Sequence, residues 1–97
     1  MLVRFHSEAD VEAQAAHDFY ANDSSDQGAR FEAALQRVIE TIQRYPASGH
    51  PVIRGIRRKL IRAFHYSVVY KILPDHVLIL AVAHYKQQWG YWLNRLD

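Results

Sequence analysis

Cysteine is absent from the 97 residues, which excludes a disulfide framework, a thiolate metal site and a cysteine nucleophile. That composition fits the cytoplasm. Proline occurs only three times and glycine four, against 49% hydrophobic residues, so the chain has the means to fold and is not read as disordered. No apolar run approaches the roughly 18 residues of a membrane span. Leu2 to Phe5 is too short, and its flanks too poor, for a signal peptide. Acidic residues are missing altogether between Arg44 and Lys71. Also lacking are a glycine-rich phosphate cradle, a serine in a nucleophile elbow, and a pair of carboxylates in the later half that would act on a sugar.

The length suits one domain with a single modest core, and no repeat, low-complexity segment or linker divides residues 1–97. What is abundant lies late. Tyr66 to Leu73 and Val77 to Ala83 are rich in β-branched and aromatic residues and read as two strands, with Pro74-Asp75 as the turn between them. A hairpin this apolar needs a cover. Upstream, Leu2 to His6 reads as a short strand. Ser7, with Asp10 three residues on, marks a helix start. That helix runs to about Ala21, with Val11, Ala15, Ala16, Phe19 and Tyr20 near one face. The polar break Asn22-Asp23-Ser24-Ser25 offers the next cap. From Ser25 to Tyr45 the apolar residues Phe31, Ala34, Leu35, Val38, Ile42 and Tyr45 recur at helical spacing. Pro46, Gly49 and Pro51 end that helix, and Arg57 to Phe64 reads as a strand leading into the hairpin. The order predicts an α+β two-layer sandwich: an N-terminal strand, an antiparallel helix hairpin, then a three-stranded antiparallel meander.

A helix hairpin covers one face of a sheet, and the other face should then alternate to polar. It does not. Val68, Tyr70 and Ile72 alternate with Val69 and Leu73, while Leu78, Leu80 and Val82 alternate with Val77, Ile79 and Ala81. Either a partner covers the second face, or the tail that carries Trp89, Tyr91 and Trp92 folds back over it. The two tryptophans are packing residues in one case and interface anchors in the other. The acid-free stretch concentrates Arg54, Arg57, Arg58, Lys59 and Arg62, which suits an acidic partner or a solvated strand edge guarded by positive charge. The six histidines show no metal-ligand spacing, so no metal is expected. His84 ends a strand next to Tyr85 and Lys86, and is either a backbone-bonded strand end or an acid–base group.

The segments RRKLIRAFHYSVVYKI, HVLILAVAH and the late GYW, with VRFHSEADVEAQAAHDFY at the start and IETIQRYPASGHPV closing the second helix, closely resemble the RelE/ParE superfamily of type II toxins, in its ParE-like branch. The resemblance spans nearly the whole chain. It implies a small cytoplasmic toxin without cofactor, neutralised by a ParD-like or other antitoxin encoded beside it. That antitoxin would be held by Arg57, Arg58, Lys59, Arg62, Val69 and Tyr70. For the ParE-like branch it implies DNA gyrase as a target, bound rather than chemically altered, with His84, Tyr85, Lys86, Trp89, Tyr91 and Trp92 at the contact. Nucleic acid would be met only through the antitoxin or the target, and no membrane is involved. The RelE-like alternative is a metal-free, ribosome-dependent messenger ribonuclease, for which Arg58, Arg62, His84, Lys86 and Tyr91 are the candidates. A detoxified antitoxin-binding module is the third possibility. The chain departs from both patterns: Ser67 stands where a RelE-like arginine opens the third strand. Lys86-Gln87 and Trp89-Gly90 replace the arginine pair and the proline common among ParE-like chains.

Overall fold

The computed structural model describes residues 1–96. Strand β1 (Leu2–Phe5) leads into helix α1 (Ser7–Asp23) and helix α2 (Ser25–Arg44), followed by strands β2 (His50–Pro51), β3 (Ile56–Ile61), β4 (Tyr66–Ile72) and β5 (His76–His84). The cap of α1 is His6 rather than Ser7, because the imidazole Nδ1 accepts from the Glu8 amide at 3.0 Å. One residue, Ser24, both ends α1 and caps α2, its hydroxyl accepting from the Gln27 amide. This turns the chain sharply and sets the two helices side by side.

The strands form one five-stranded sheet in the order β1-β5-β4-β3-β2. The antiparallel meander is present as β3-β4-β5, and β1 joins it in parallel beside β5. The sheet is therefore mixed, and β5 lies inside it. β2 adds a two-residue edge piece that a proline-containing stretch did not advertise. β3 stops at Ile61, short of the expected Phe64, because Ala63 takes a left-handed φ of 71° and turns the chain into β4.

The helix side of the sheet is the main core. Phe31, Leu35, Ile39 and Ile42 of α2 meet Ile61, Val68, Tyr70, Val77, Ile79 and Val82. Phe31 stacks on Tyr20 at 5.4 Å and meets Phe64 and Tyr66 edge-on at 5.4 and 5.6 Å. Each such side chain contributes about 1.5–3 kcal/mol by leaving water. The expected apolar faces need two corrections. In α1 the buried residues are Ala9 and Ala16, while Val11, Ala15 and Phe19 face solvent. In α2 the stripe holds except at its end, where Tyr45 caps the helix and is exposed.

Tyr70 ties the connection after α2 to the sheet. Its hydroxyl donates to the Pro46 carbonyl and accepts from the Gly49 amide at 2.8 Å. Gly49 needs its missing side chain here, since a Cβ would sit 2.8 Å from Tyr70 Cε1 and 2.9 Å from its Cζ. Gly49→Ala is expected to cost about 1–3 kcal/mol by overpacking against that ring. Urea denaturation checks it, with an unchanged midpoint as the contrary result.

Candidate functional site

The second face of the sheet is covered by the chain's own end. Trp92 is 4% exposed and packs with Ile56, Val69, Leu80 and Ala81, with Leu93 and Leu96 at its margin. A β-bulge prepares this surface. Val69 pairs with Ala81 but Tyr70 pairs with Ile79, so Leu80 is the extra residue and both it and Ala81 are buried. Of the two readings of the apolar second face, the folded-back tail is the one the structure adopts. Trp92 and the partly buried Tyr91 thus belong largely to the fold.

Glu12 of α1 fastens that tail. Its carboxylate pairs with both guanidinium nitrogens of Arg95 at 2.9 and 3.0 Å, and accepts the Tyr91 hydroxyl at 2.7 Å and the Val82 amide at 3.0 Å. Arg95 also donates to the Leu80 carbonyl at 2.9 Å and stacks over the Tyr91 ring at 5.1 Å. Burial, then the bond to Glu12 and its charge, push the Tyr91 phenol far above its ordinary value. Tyr20 and Tyr66 are raised too, mainly by burial. Below about pH 10 both folded and unfolded chains keep these protons. Above it the unfolded chain releases them first, so stability falls as pH rises. Alkaline denaturation should show this loss, and Tyr91→Phe should flatten it while leaving the part due to Tyr20 and Tyr66. An equal slope in the variant would contradict the assignment.

On the tail side of the sheet, between β3 and the turn after β5, lies a cleft of about 180 Å³ whose lining includes Arg58, Leu60, His84, Tyr85, Trp89 and Tyr91. Its rim is exposed and apolar: Leu60 is 66% exposed, Tyr85 65% and Trp89 57%. The Lys86 ammonium stands 5.9 Å from the Tyr85 ring centroid, and Trp89 meets Trp92 edge-on at 5.7 Å. His84 is engaged in the turn, where its Nδ1 accepts the Lys86 amide at 3.1 Å. Of the ribonuclease candidates, Arg58, His84 and Tyr91 share this cleft. Arg62 lines grooves on the helix side instead, and Lys86 is exposed on the turn after β5.

On the helix side, a groove of about 510 Å³ between α2 and β3 gathers Arg37, His50, Lys59 and Arg62 around Ala34 and Val38, while Arg58 and Leu60 stand at its edge and also line the cleft on the other face. β2 pairs only with Arg57 and Arg58, so β3 from Lys59 to Ile61 has no strand on its outer side. Arg57 is committed to the Ala47 and Gly49 carbonyls at 3.2 and 2.8 Å. Val69 and Tyr70 are buried on opposite faces of β4, at 2% and 0% exposure, and offer no surface in this conformation. Sequence reasoning missed Arg37, although Arg30, Arg37 and Arg44 recur every seven residues along one side of α2. It also missed Glu12 and Arg95, which no local pattern links. Among the described residues no group of three or more His, Asp or Glu side chains converges as a metal site, and no helix is long and apolar enough to cross a membrane.

The same architecture recurs in a solved structure described as the chromosomal ParDE TA system from P. aeruginosa. The TM-score is 0.77 at 15% identity, over 87% of this chain and 95% of that one. A Sinorhizobium fredii (strain NBRC 101917 / NGR234) protein named "Putative toxin Y4kP" is 35% identical over 72 residues, which cover 73% of this chain and 74% of that protein. The profile of the family described as "ParE toxin of type II toxin-antitoxin system, parDE" matches residues 3–89, from β1 through β5 to the exposed Trp89. With the strand–helix–helix–meander order, the profile match and the identity to Y4kP in agreement, the chain belongs to the ParE family of type II toxins.

Proposed function

We propose that this toxin acts by binding DNA gyrase through the rim of the small cleft, and that a cognate ParD-like antitoxin neutralises it from the groove between α2 and β3. The setting would be the cytoplasm, where gyrase works. The observation that carries the first half is the exposed rim of Leu60, Tyr85 and Trp89 beside Arg58 and Lys86. Large aromatics and arginine concentrate binding energy at interfaces, and these are free while their neighbours Tyr91 and Trp92 are held by the fold. Supporting the second half, the groove joins positive charge, an apolar floor and the unpaired outer side of β3. This suits an extended acidic segment. The description of the P. aeruginosa structure as a ParDE system agrees with an antitoxin partner.

Ribosome-dependent cleavage draws on Arg58, His84 and Tyr91 lining one cleft. A general acid or base must reach the proton it moves, yet His84 Nδ1 and the Tyr91 hydroxyl already bond to the Lys86 amide and Glu12. Binding without chemistry is the better fit. In a supercoiling assay with purified gyrase the toxin should inhibit, and Trp89→Ala combined with Tyr85→Ala should weaken inhibition by about tenfold or more, the scale of an interface hot spot. No inhibition by the unaltered toxin, with new cuts in translated messages by primer extension, would favour the ribonuclease.

A further inference from the structure

β1 ends at Phe5 opposite Ile79, with the His6 amide making one last bond to the Ile79 carbonyl, while β5 continues to His84. The outer edge of β5 beyond Ile79 therefore has no strand beside it, and an unpaired edge invites another chain. In this molecule the Leu80 carbonyl and the Val82 amide on that edge are taken by Arg95 and Glu12, which are bonded to each other. The side chains of the pair are only 13% and 17% exposed. One carboxylate thus joins α1, the end of β5 and the C-terminal segment.

We infer that Glu12 is a positioning residue for the target-contact rim: by pairing with Arg95 and Tyr91 together it sets the orientation of the tail on the sheet, and thereby where Trp89 projects. Residues Tyr85 to Trp89 are all exposed and are held mainly by their own turns, such as the Gln87 amide to the His84 carbonyl at 3.0 Å and the His84 amide to Gln87 Oε1 at 2.8 Å. Trp92, with Tyr91, Leu93 and Leu96 beside it, packs the end of the segment on the apolar cluster. Apolar packing is non-directional, and Gly90, at a φ of +81°, lies between these contacts and Trp89. Glu12 supplies the directional attachment, at Tyr91, the residue next to Gly90, and again at Arg95. The same contacts occupy β5's edge with charge, which discourages strand pairing between copies. The link between this geometry and toxicity rests on the rim's being the gyrase contact.

The test is Glu12→Gln, which keeps the shape and removes the charge, compared with a core variant of matched Tm such as Ile42→Val. Hydrogen exchange at the Val82 amide should accelerate about tenfold or more in Glu12→Gln and not in the control, as expected when a charge-assisted bond becomes an ordinary one. Relaxation of the Trp89 indole N–H should show greater mobility, and inhibition of supercoiling should weaken further than in the control. Unchanged Val82 exchange and Trp89 mobility would overturn the inference. So would faster exchange with Trp89 as rigid as before, since Glu12 would then be only structural. If the unaltered toxin has no effect on gyrase, the functional reading fails, and Val82 exchange with Trp89 mobility still decides the role of Glu12.

Discussion

Trp92→Ala should lower the stability of the chain by about 3–5 kcal/mol, the range for removing a large aromatic from a core. Trp89→Ala, three residues earlier, should change it by no more than about 0.5 kcal/mol, as for an exposed site. Trp92 is 4% exposed and fills the tail side of the sheet with Ile56, Val69, Leu80 and Ala81, whereas Trp89 is 57% exposed. A single domain commonly has only about 5–15 kcal/mol of stability, so Trp92→Ala should remove a large share of it. Thermal denaturation of the two variants separates the roles. Equal losses would mean that the tail does not lie on the sheet as described. The contrast also governs how toxicity experiments are designed. Truncation before Trp89 would remove Trp92 and Arg95 along with the rim's Trp89, so its expected effects on stability and on target contact are not separable. Point substitutions at Tyr85 and Trp89 are the cleaner test.

Leu80→Ala should cost about 2–5 kcal/mol, with the upper part of the range expected where neighbours cannot close over the space. Leu80 is the extra residue of the β5 bulge and is 0% exposed. Its surroundings are rigid on both sides: Val69 is paired into β4, and its own carbonyl is held by Arg95. Urea denaturation measures the loss. A value below about 1 kcal/mol would mean the bulge relaxes into the vacated space and would displace Leu80 from the core.

The strands of the meander and the second helix were legible because their apolar spacing is dense and bounded by turn residues such as Pro74-Asp75 and Pro46. The first helix was legible in extent and in part of its orientation, since Ala16 and Tyr20 pack on the core while Val11, Ala15 and Phe19 do not. Its buried residues are Ala9 and Ala16, with Glu12, Ala13, His17 and Tyr20 half-buried around them. Small and polar side chains make up much of the face that packs, so the larger Val11 and Phe19 pulled the expected stripe partly off it. The parallel pairing of β1 with β5 joins Leu2–Phe5 to His76–Ile79 across most of the chain, and nothing in four residues specifies that partner. The apolar character of both faces of the meander was visible in the alternation. What covered the second face remained open between a partner and the tail, because it depends on a bulge at Leu80 and an ion pair between positions 12 and 95. For the site, the basic stretch and the aromatic end were visible as composition. Their division into committed residues, such as Arg57, Tyr91 and Trp92, and free ones, such as Lys86 and Trp89, is a matter of packing alone.

In the proposed mode of action, the C-terminal segment closes the sheet's second face and leaves Trp89 exposed for contact with gyrase. Iodide quenching of 5-hydroxytryptophan, placed at position 89 with Trp92 untouched, reads this directly because the probe is excited where gyrase absorbs weakly. Ready quenching in the free toxin and protection once gyrase is added are the predicted results. A probe already shielded in the free toxin, or one quenched equally with and without gyrase at inhibitory concentrations, would contradict it.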